Sequence, residues 1–260
     1  MASQVTAITD PLAADTPSAA EIGYEKARHR NCADMLWQNL DRNPNKQAVT
    51  GPMGTKTYQE LIAEAGRWGN AFKRAGMKRG ERIAFLLDDT PVFPSAFYGA
   101  VRAGFVPVLL NIQTKPDILR FFLQDSQARI ALVEGELTGS FSEQTRNGTH
   151  LETLIVANGA PDSGGIGTQA FLDGAAQTLE AAETDPDDMA FWMYSSGSTG
   201  RPKGIVHLHH DMAYIAASFG EHVLKLNESD ICYSVPKAYF AYGFGNSLVF
   251  PFALETAVQN

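Results

Sequence analysis

The residues best suited to chemistry lie in one short run, YSSGSTGRPKG, from Tyr194 to Gly204. Ser195, Ser196, Ser198 and Thr199 supply hydroxyl groups, while Gly197, Gly200 and Gly204 let the backbone bend closely around an anion. Lys203 adds a mobile positive charge. These are the parts needed to hold the β- and γ-phosphates of ATP while its α-phosphorus is attacked. A Walker A loop read from Gly197 fails twice, because Pro202 stands where glycine belongs and Gly204 where the magnesium-binding hydroxyl belongs. A flexible Gly/Ser linker would explain the composition, but not the stiffening Pro202 followed by Lys203 between two strongly apolar segments.

A second informative run, PKAYFAYGFGN, covers Pro236 to Asn246. Small Ala241 and Gly243 beside Tyr239, Phe240 and Tyr242 would suit a flat ring, which stacks on aromatic neighbours and needs clearance at its edge. Such aromatics could equally be ordinary core. Their position just after a predicted strand, with Gly243 and Gly245, makes this an end-of-strand loop, where open α/β sheets take their ligands. His207, His209 and His210 invite a metal reading, with His207 and His209 on one strand face, but no acidic or thiolate ligand completes a set and none is expected.

The elements that must position these runs read as alternating strands and helices. Apolar residues at helical spacing predict a first helix over residues 31–40, and 46–50 and 56–58 read as short strands around a Gly/Pro turn. Thr57 followed by Glu60 is a capping box for a helix over 58–75 that Gly76 closes. Continuous apolar strands over 82–87, 106–110 and 129–134 alternate with a small-residue helix over 94–103 and a helix that begins at Thr114 with Pro116 in its first turn. Strands apolar on both faces belong to a parallel sheet covered on both sides, so the fold class expected is α/β, doubly wound, with layered sheets and flanking helices. A weaker strand over 151–156 precedes a Gly-rich surface loop over 162–167, and the acidic run 183–188 reads as a solvated turn. Strands over 189–194 and 230–235 and a helix over 210–224 complete the pattern, and the last residues, 252–260, read as helical.

With 260 residues and 44% hydrophobic content the chain can bury a substantial core. A net charge of -8 disfavours nucleic acid and anionic membranes as partners. Cys32 and Cys232 form no CxxC pattern, and no secretory leader or membrane-length apolar run is seen, so a cytoplasmic location is expected. The Asn147-Gly148-Thr149 sequon reads as a surface turn.

YSSGSTGRPKG closely resembles the phosphate-binding signature of the acyl-adenylate-forming superfamily, and TYQEL from Thr57 and AVRAGFVPVLLN from Ala100 are similar to its first subdomain. The Lys237 to Asn246 segment resembles benzoate and 4-hydroxybenzoate:CoA ligases in particular. The resemblance implies activation of an aromatic carboxylate with MgATP to an acyl-adenylate, followed by thioester formation with CoA. It assigns Ser196, Thr199 and Lys203 to the pyrophosphate, Ala241 and Tyr242 to the aryl group, and Phe240 to a gating role. The implied domains are an extension over 1–23, a first subdomain over 24–184 and the start of a second over 185–260. The family's Gly-x-Thr-Glu segment and its lid domain with the catalytic lysine are not found, so no catalytic residue is assigned. The sequence therefore reads as the amino-terminal part of such a ligase, inactive alone, with an apolar edge left for a missing C-terminal half. An aliphatic-acid ligase and a non-catalytic gene remnant are the competing readings.

Overall fold

The computed structural model describes residues 31–51, 53–161, 164–195 and 201–259; the extension expected over 1–23 lies outside them. Two short helical turns, α1 (Asp34–Trp37) and α2 (Asn39–Arg42), precede the hairpin β1 (Gln47–Gly51) and β2 (Gly54–Thr57). Helix α3 (Tyr58–Arg74) starts at a complete capping box: the Glu60 N–H donates to Thr57 Oγ1 and the Thr57 N–H donates to Glu60 Oε2. Gly76, at φ 78°, takes the left-handed position that ends it.

Strands β3 (Arg82–Leu86), β4 (Val106–Leu109), β5 (Ile130–Glu134) and β6 (Thr153–Ala157) are all parallel and alternate with α4 (Val92–Arg102) and α5 (Pro116–Ser126). Helix α5 begins at Pro116 rather than Thr114, because the Thr114 N–H is used in a turn on the Asn111 carbonyl. The remaining elements are α6 (Glu143–Arg146), β7 (Ile166–Gly167), α7 (Thr168–Leu172), β8 (Met189–Ser195), β9 (Lys203–Leu208), α8 (His209–Ile215), β10 (Ile231–Tyr233), α9 (Ala241–Phe244), α10 (Phe250–Ala253) and β11 (Ala257–Gln259). Two strand orders result, β7-β6-β5-β3-β4-β8-β9 and β10-β11-β1-β2.

The first sheet is mixed α/β with helices on both faces. Ile83 and Phe85 of β3 enter a core with α3 and α4, whereas Ala84 and Leu86 enter a second core with α5. Burial on both sides is why these strands are apolar without alternation.

Strand pairing does not divide at the boundary expected between residues 184 and 185. β8 joins the first sheet beside β4, with Val108 opposite Trp192 and Leu109 opposite Met193, and β10 and β11 join the β1–β2 hairpin. Unpaired edge groups on β4 and β1 supply the reason.

Two local expectations also change, while the acidic run keeps its expected turn. The Gly-rich loop contributes Ile166 and Gly167 as an edge strand on β6. The acidic run is a turn closed on Asp188, which also pairs with Arg79, while Asp187 holds His210. The last residues turn at Glu255, at φ 60°, into β11, whose buried Val258 pairs with Val49 and Cys232; partners in the sheet override helical spacing here. Ile231, Tyr233 and Val235 stand largely exposed along and after β10.

Candidate functional site

β8 and β9 form an antiparallel hairpin in which Ser195 pairs with Lys203, Tyr194 with Gly204, Met193 with Ile205, Trp192 with Val206 and Phe191 with His207. Ser195 and Lys203 therefore face each other where the loop leaves the sheet. Ser196, Gly197, Ser198, Thr199 and Gly200 lie outside the described residues.

The two faces of the hairpin have different neighbours. Tyr194 stacks on Phe122 of α5 with ring centroids 4.0 Å apart, and its hydroxyl donates to Asp125 Oδ2 at 2.7 Å. Burial, then the Asp125 carboxylate, pushes the phenol's pKa up, so the hydroxyl keeps its proton. Arg201 lies 5.8 Å over the Phe121 ring. The base of the loop is thus fastened to α5. Tyr194→Phe is expected to lower stability by about 1 kcal/mol, the size of one partly exposed hydrogen bond, without disturbing the ring stack. Urea denaturation checks this, and an unchanged midpoint would mean that the bond contributes nothing.

The opposite face opens on a pocket of about 610 Å³. Phe191 and Met193 of β8, His207 of β9, and Asp211, Met212 and Ile215 of α8 form one side. Phe219, Ala241, Tyr242, Phe244, Gly245 and Asn246 form much of the other. Helix α8 continues as a π-helical turn over Ala216–Glu221, and α9 continues as another over Gly245–Val249. Both border the pocket, in keeping with the frequency of such wide turns at ligand sites. The volume and the mainly apolar wall suit a small organic molecule.

Of the aromatic run, Ala241 and Tyr242 reach this pocket. Tyr239 is buried in the main core, and Phe240 stands half exposed beside it. Gly243 serves a different need from the clearance expected of it: a Cβ there would lie 2.2 Å from the Lys237 carbonyl oxygen and 2.3 Å from that of Pro236. It lets α9 fold back on the preceding loop. That loop is held to the end of β3, since Lys237 Nζ pairs with Asp88 Oδ1 at 2.7 Å and the Ala238 N–H donates to Asp89 Oδ1 at 3.0 Å. Burial pushes the Asp89 carboxyl above its ordinary range, and the bond to Asp88 raises the Lys237 ammonium.

The three histidines separate. His207 stacks on Phe191, centroids 4.6 Å apart and planes 11° from parallel, and its Nδ1 lies 3.2 Å from Asp211 Oδ2. His209 falls on the first turn of α8 rather than on the strand; buried, its Nδ1 accepts the Cys32 N–H at 3.1 Å. His210 turns to Asp187 at 2.9 Å. Phe191, His207, Asp211, Met212, Ile215 and Phe219 were not among the expected pocket residues. Their signal was weak: Phe191 stands two residues from Met193 on β8, and helical spacing runs from Asp211 to Phe219, patterns that core residues share.

These features define an α/β protein with a largely parallel sheet that sets an apolar pocket along the β8–β9 hairpin, whose strand ends Ser195 and Lys203 flank the hydroxyl- and glycine-rich run. More particularly, the chain belongs to the AMP-binding enzyme family, which it matches over residues 36–258. It is 36% identical over 247 residues to a benzoate–CoA ligase of Thauera aromatica, covering 94% of this chain and 46% of that protein. A 4-hydroxybenzoate–CoA/benzoate–CoA ligase of Rhodopseudomonas palustris is 36% identical over 83% of this chain and 40% of its own length. Among solved structures, the anthranilate CoA ligase AuaEII in complex with anthranoyl-AMP superimposes with a TM-score of 0.86 at 33% identity, over 88% of this chain and 44% of that one. A benzoate CoA ligase from Burkholderia xenovorans LB400 gives 0.80 at 33% identity, over 88% and 45%. The chain thus spans less than half the length of these relatives. Among the described residues, no helix is long and apolar enough to cross a membrane.

Proposed function

We propose that this chain carries the carboxylate and ATP-phosphate sites of an AMP-forming aromatic acid:CoA ligase. The observation that carries the reading is the single face of the β8–β9 hairpin. Ser195 and Lys203 stand at its loop end, and Met193, Phe191 and His207 follow along it into the pocket. An aromatic acid with its ring in the pocket would have its carboxylate toward the loop. The loop's serines, Thr199 and Lys203 would hold the β- and γ-phosphates of MgATP, so that the carboxylate attacks the α-phosphorus and pyrophosphate leaves. At neutral pH the carboxylate needs no base; positioning and neutralisation of charge dominate. Magnesium would arrive with ATP, keeping most of its waters, and CoA would accept the acyl group in a second step. Several curated relatives bear the names of aromatic acid–CoA ligases, which supports the same class.

Titration calorimetry of the chain tests the reading. Benzoate or a hydroxybenzoate is expected to bind saturably and about tenfold more tightly than hexanoate, since a flat ring fills aromatic walls that a flexible chain does not. Lys203→Ala is expected to weaken MgATP about tenfold, the equivalent of about 1.4 kcal/mol, while leaving the aromatic acid's affinity unchanged. Hexanoate binding as tightly as every aromatic acid would overturn the aryl assignment.

A further inference from the structure

We propose that His207, held by Asp211, selects aromatic acids bearing a hydrogen-bond-donating ring substituent, a hydroxyl or an amino group, over the unsubstituted ring. The inference rests on the function proposed above and concerns the same pocket.

His207 is fixed on two sides. Its face lies on Phe191, which in turn packs against Phe244, centroids 4.5 Å apart. Its Nδ1 is engaged by Asp211 Oδ2, and that carboxylate is itself held by the Leu208 N–H at 3.1 Å and by His210 Nε2 at 3.1 Å. When Nδ1 donates to the carboxylate, Nε2 of the neutral ring is left as an acceptor, and the neighbouring negative charge makes it a stronger one. Nε2 makes no hydrogen bond among the described residues. His207 thus adds a ring nitrogen engaged by no described residue to a wall formed chiefly by Met193, Met212, Ile215, Phe219 and Phe244.

The placement along the hairpin matches this role. Lys203 and His207 are four residues apart on β9 and share a face, a span of about 13 Å at the usual strand rise. With its carboxylate directed to the loop, a ring extends toward His207, so a substituent remote from the carboxylate is the part that meets Nε2. An unsubstituted ring would exclude water from that nitrogen and give it nothing in return. A site built around a hydrogen bond to substrate rejects the analogue that lacks the donor, because its own polar group is left unpaired.

The test is calorimetric binding of benzoate, 3- and 4-hydroxybenzoate and 4-aminobenzoate to the chain and to His207→Phe, which keeps the stack on Phe191. In the natural chain the best substituted acid is expected to bind about tenfold tighter than benzoate, a modest factor because the histidine is partly solvated. In His207→Phe that ratio should fall to about one with benzoate bound no more weakly than before, an outcome a merely structural residue would not give. Benzoate binding as tightly as every substituted acid, an unchanged ratio in the variant, or equal loss of all four acids would each overturn the inference. Failure of every acid to bind the natural chain would remove the proposed function as well, which distinguishes the two failures.

Discussion

Gly99→Ala is expected to destabilise the chain by about 3 kcal/mol, lowering the thermal midpoint by roughly 6–12 °C, although the substitution is made inside a helix where alanine is intrinsically preferred. Helix α4 crosses α3 at closest approach where Gly99 meets Ala65, Trp68 and Gly69. A Cβ on Gly99 would lie 2.2 Å from the Ala65 carbonyl oxygen, 2.9 Å from Trp68 Cβ and 3.0 Å from the Gly69 backbone nitrogen. Two of those three atoms are backbone, so rotamer changes cannot relieve the contact and the helices must separate. Separation would loosen Trp68 and Phe97, both fully buried between these helices and their neighbours. It would also disturb Phe191, against which Phe97 packs at 5.7 Å and which lines the pocket. Gly139→Ala, where no atom lies within 4 Å of the added carbon, is the control and should be near neutral. A Gly99→Ala midpoint within about 1 °C of the control would refute the close-crossing argument.

The same close crossing shows what was legible in the sequence. The helix containing Gly99 was readable as a run of small residues, and its neighbour α3 was readable from Thr57, Glu60 and Gly76, because caps are local chemistry. The parallel strands were readable because burial on both faces leaves an unbroken apolar run. The run from Tyr194 to Gly204 announced itself by composition. Partners were harder to read: which residue meets which edge depends on segments far apart in the chain. Residues 257–259 have no intrinsic reason to be a strand until β1 and β10 lie on either side. The rest of the pocket wall, beyond Ala241 and Tyr242, was missed for the same reason. It gathers side chains from β8, β9, α8 and α9, and on each element the pocket residues repeat at the spacing used to bury a core. Gly243 shows the opposite case, a residue whose use in the fold is close approach to the Pro236 and Lys237 carbonyls.

Acidification from pH 7 to pH 4 is expected to remove about 3 kcal/mol of stability through His209 alone. Its imidazole is buried at the start of α8, and burial pushes its pKa down to about 4. Asp188 and Asp34 act in the opposite direction and Arg79 reinforces the shift, but loss of solvent dominates. Nδ1 is also the acceptor of the Cys32 N–H, so protonation there would break a bond and leave that amide buried without a partner. Because the folded-state pKa lies below the unfolded value near 6.5, the unfolded chain binds the proton first. The stabilisation is therefore complete above about pH 6.5 and is lost progressively as pH falls toward 4, with about 2 kcal/mol gone by pH 5. Asp89 and Glu134 work the other way, since burial raises their carboxyl pKa values and the fold gains from protonating them. The measurement is consequently a difference: urea midpoints at pH 7 and pH 5 for the natural chain and for His209→Gln, whose amide oxygen can still accept from Cys32. The variant should be less stable than the natural chain at pH 7 and should lose about 2 kcal/mol less between the two pH values. Equal losses in both proteins would mean that His209 enters the fold already charged, contrary to its burial. Because α8 also carries Asp211, Met212 and Ile215 into the pocket, ligand binding should weaken over the same pH interval in the natural chain and to a smaller extent in the variant.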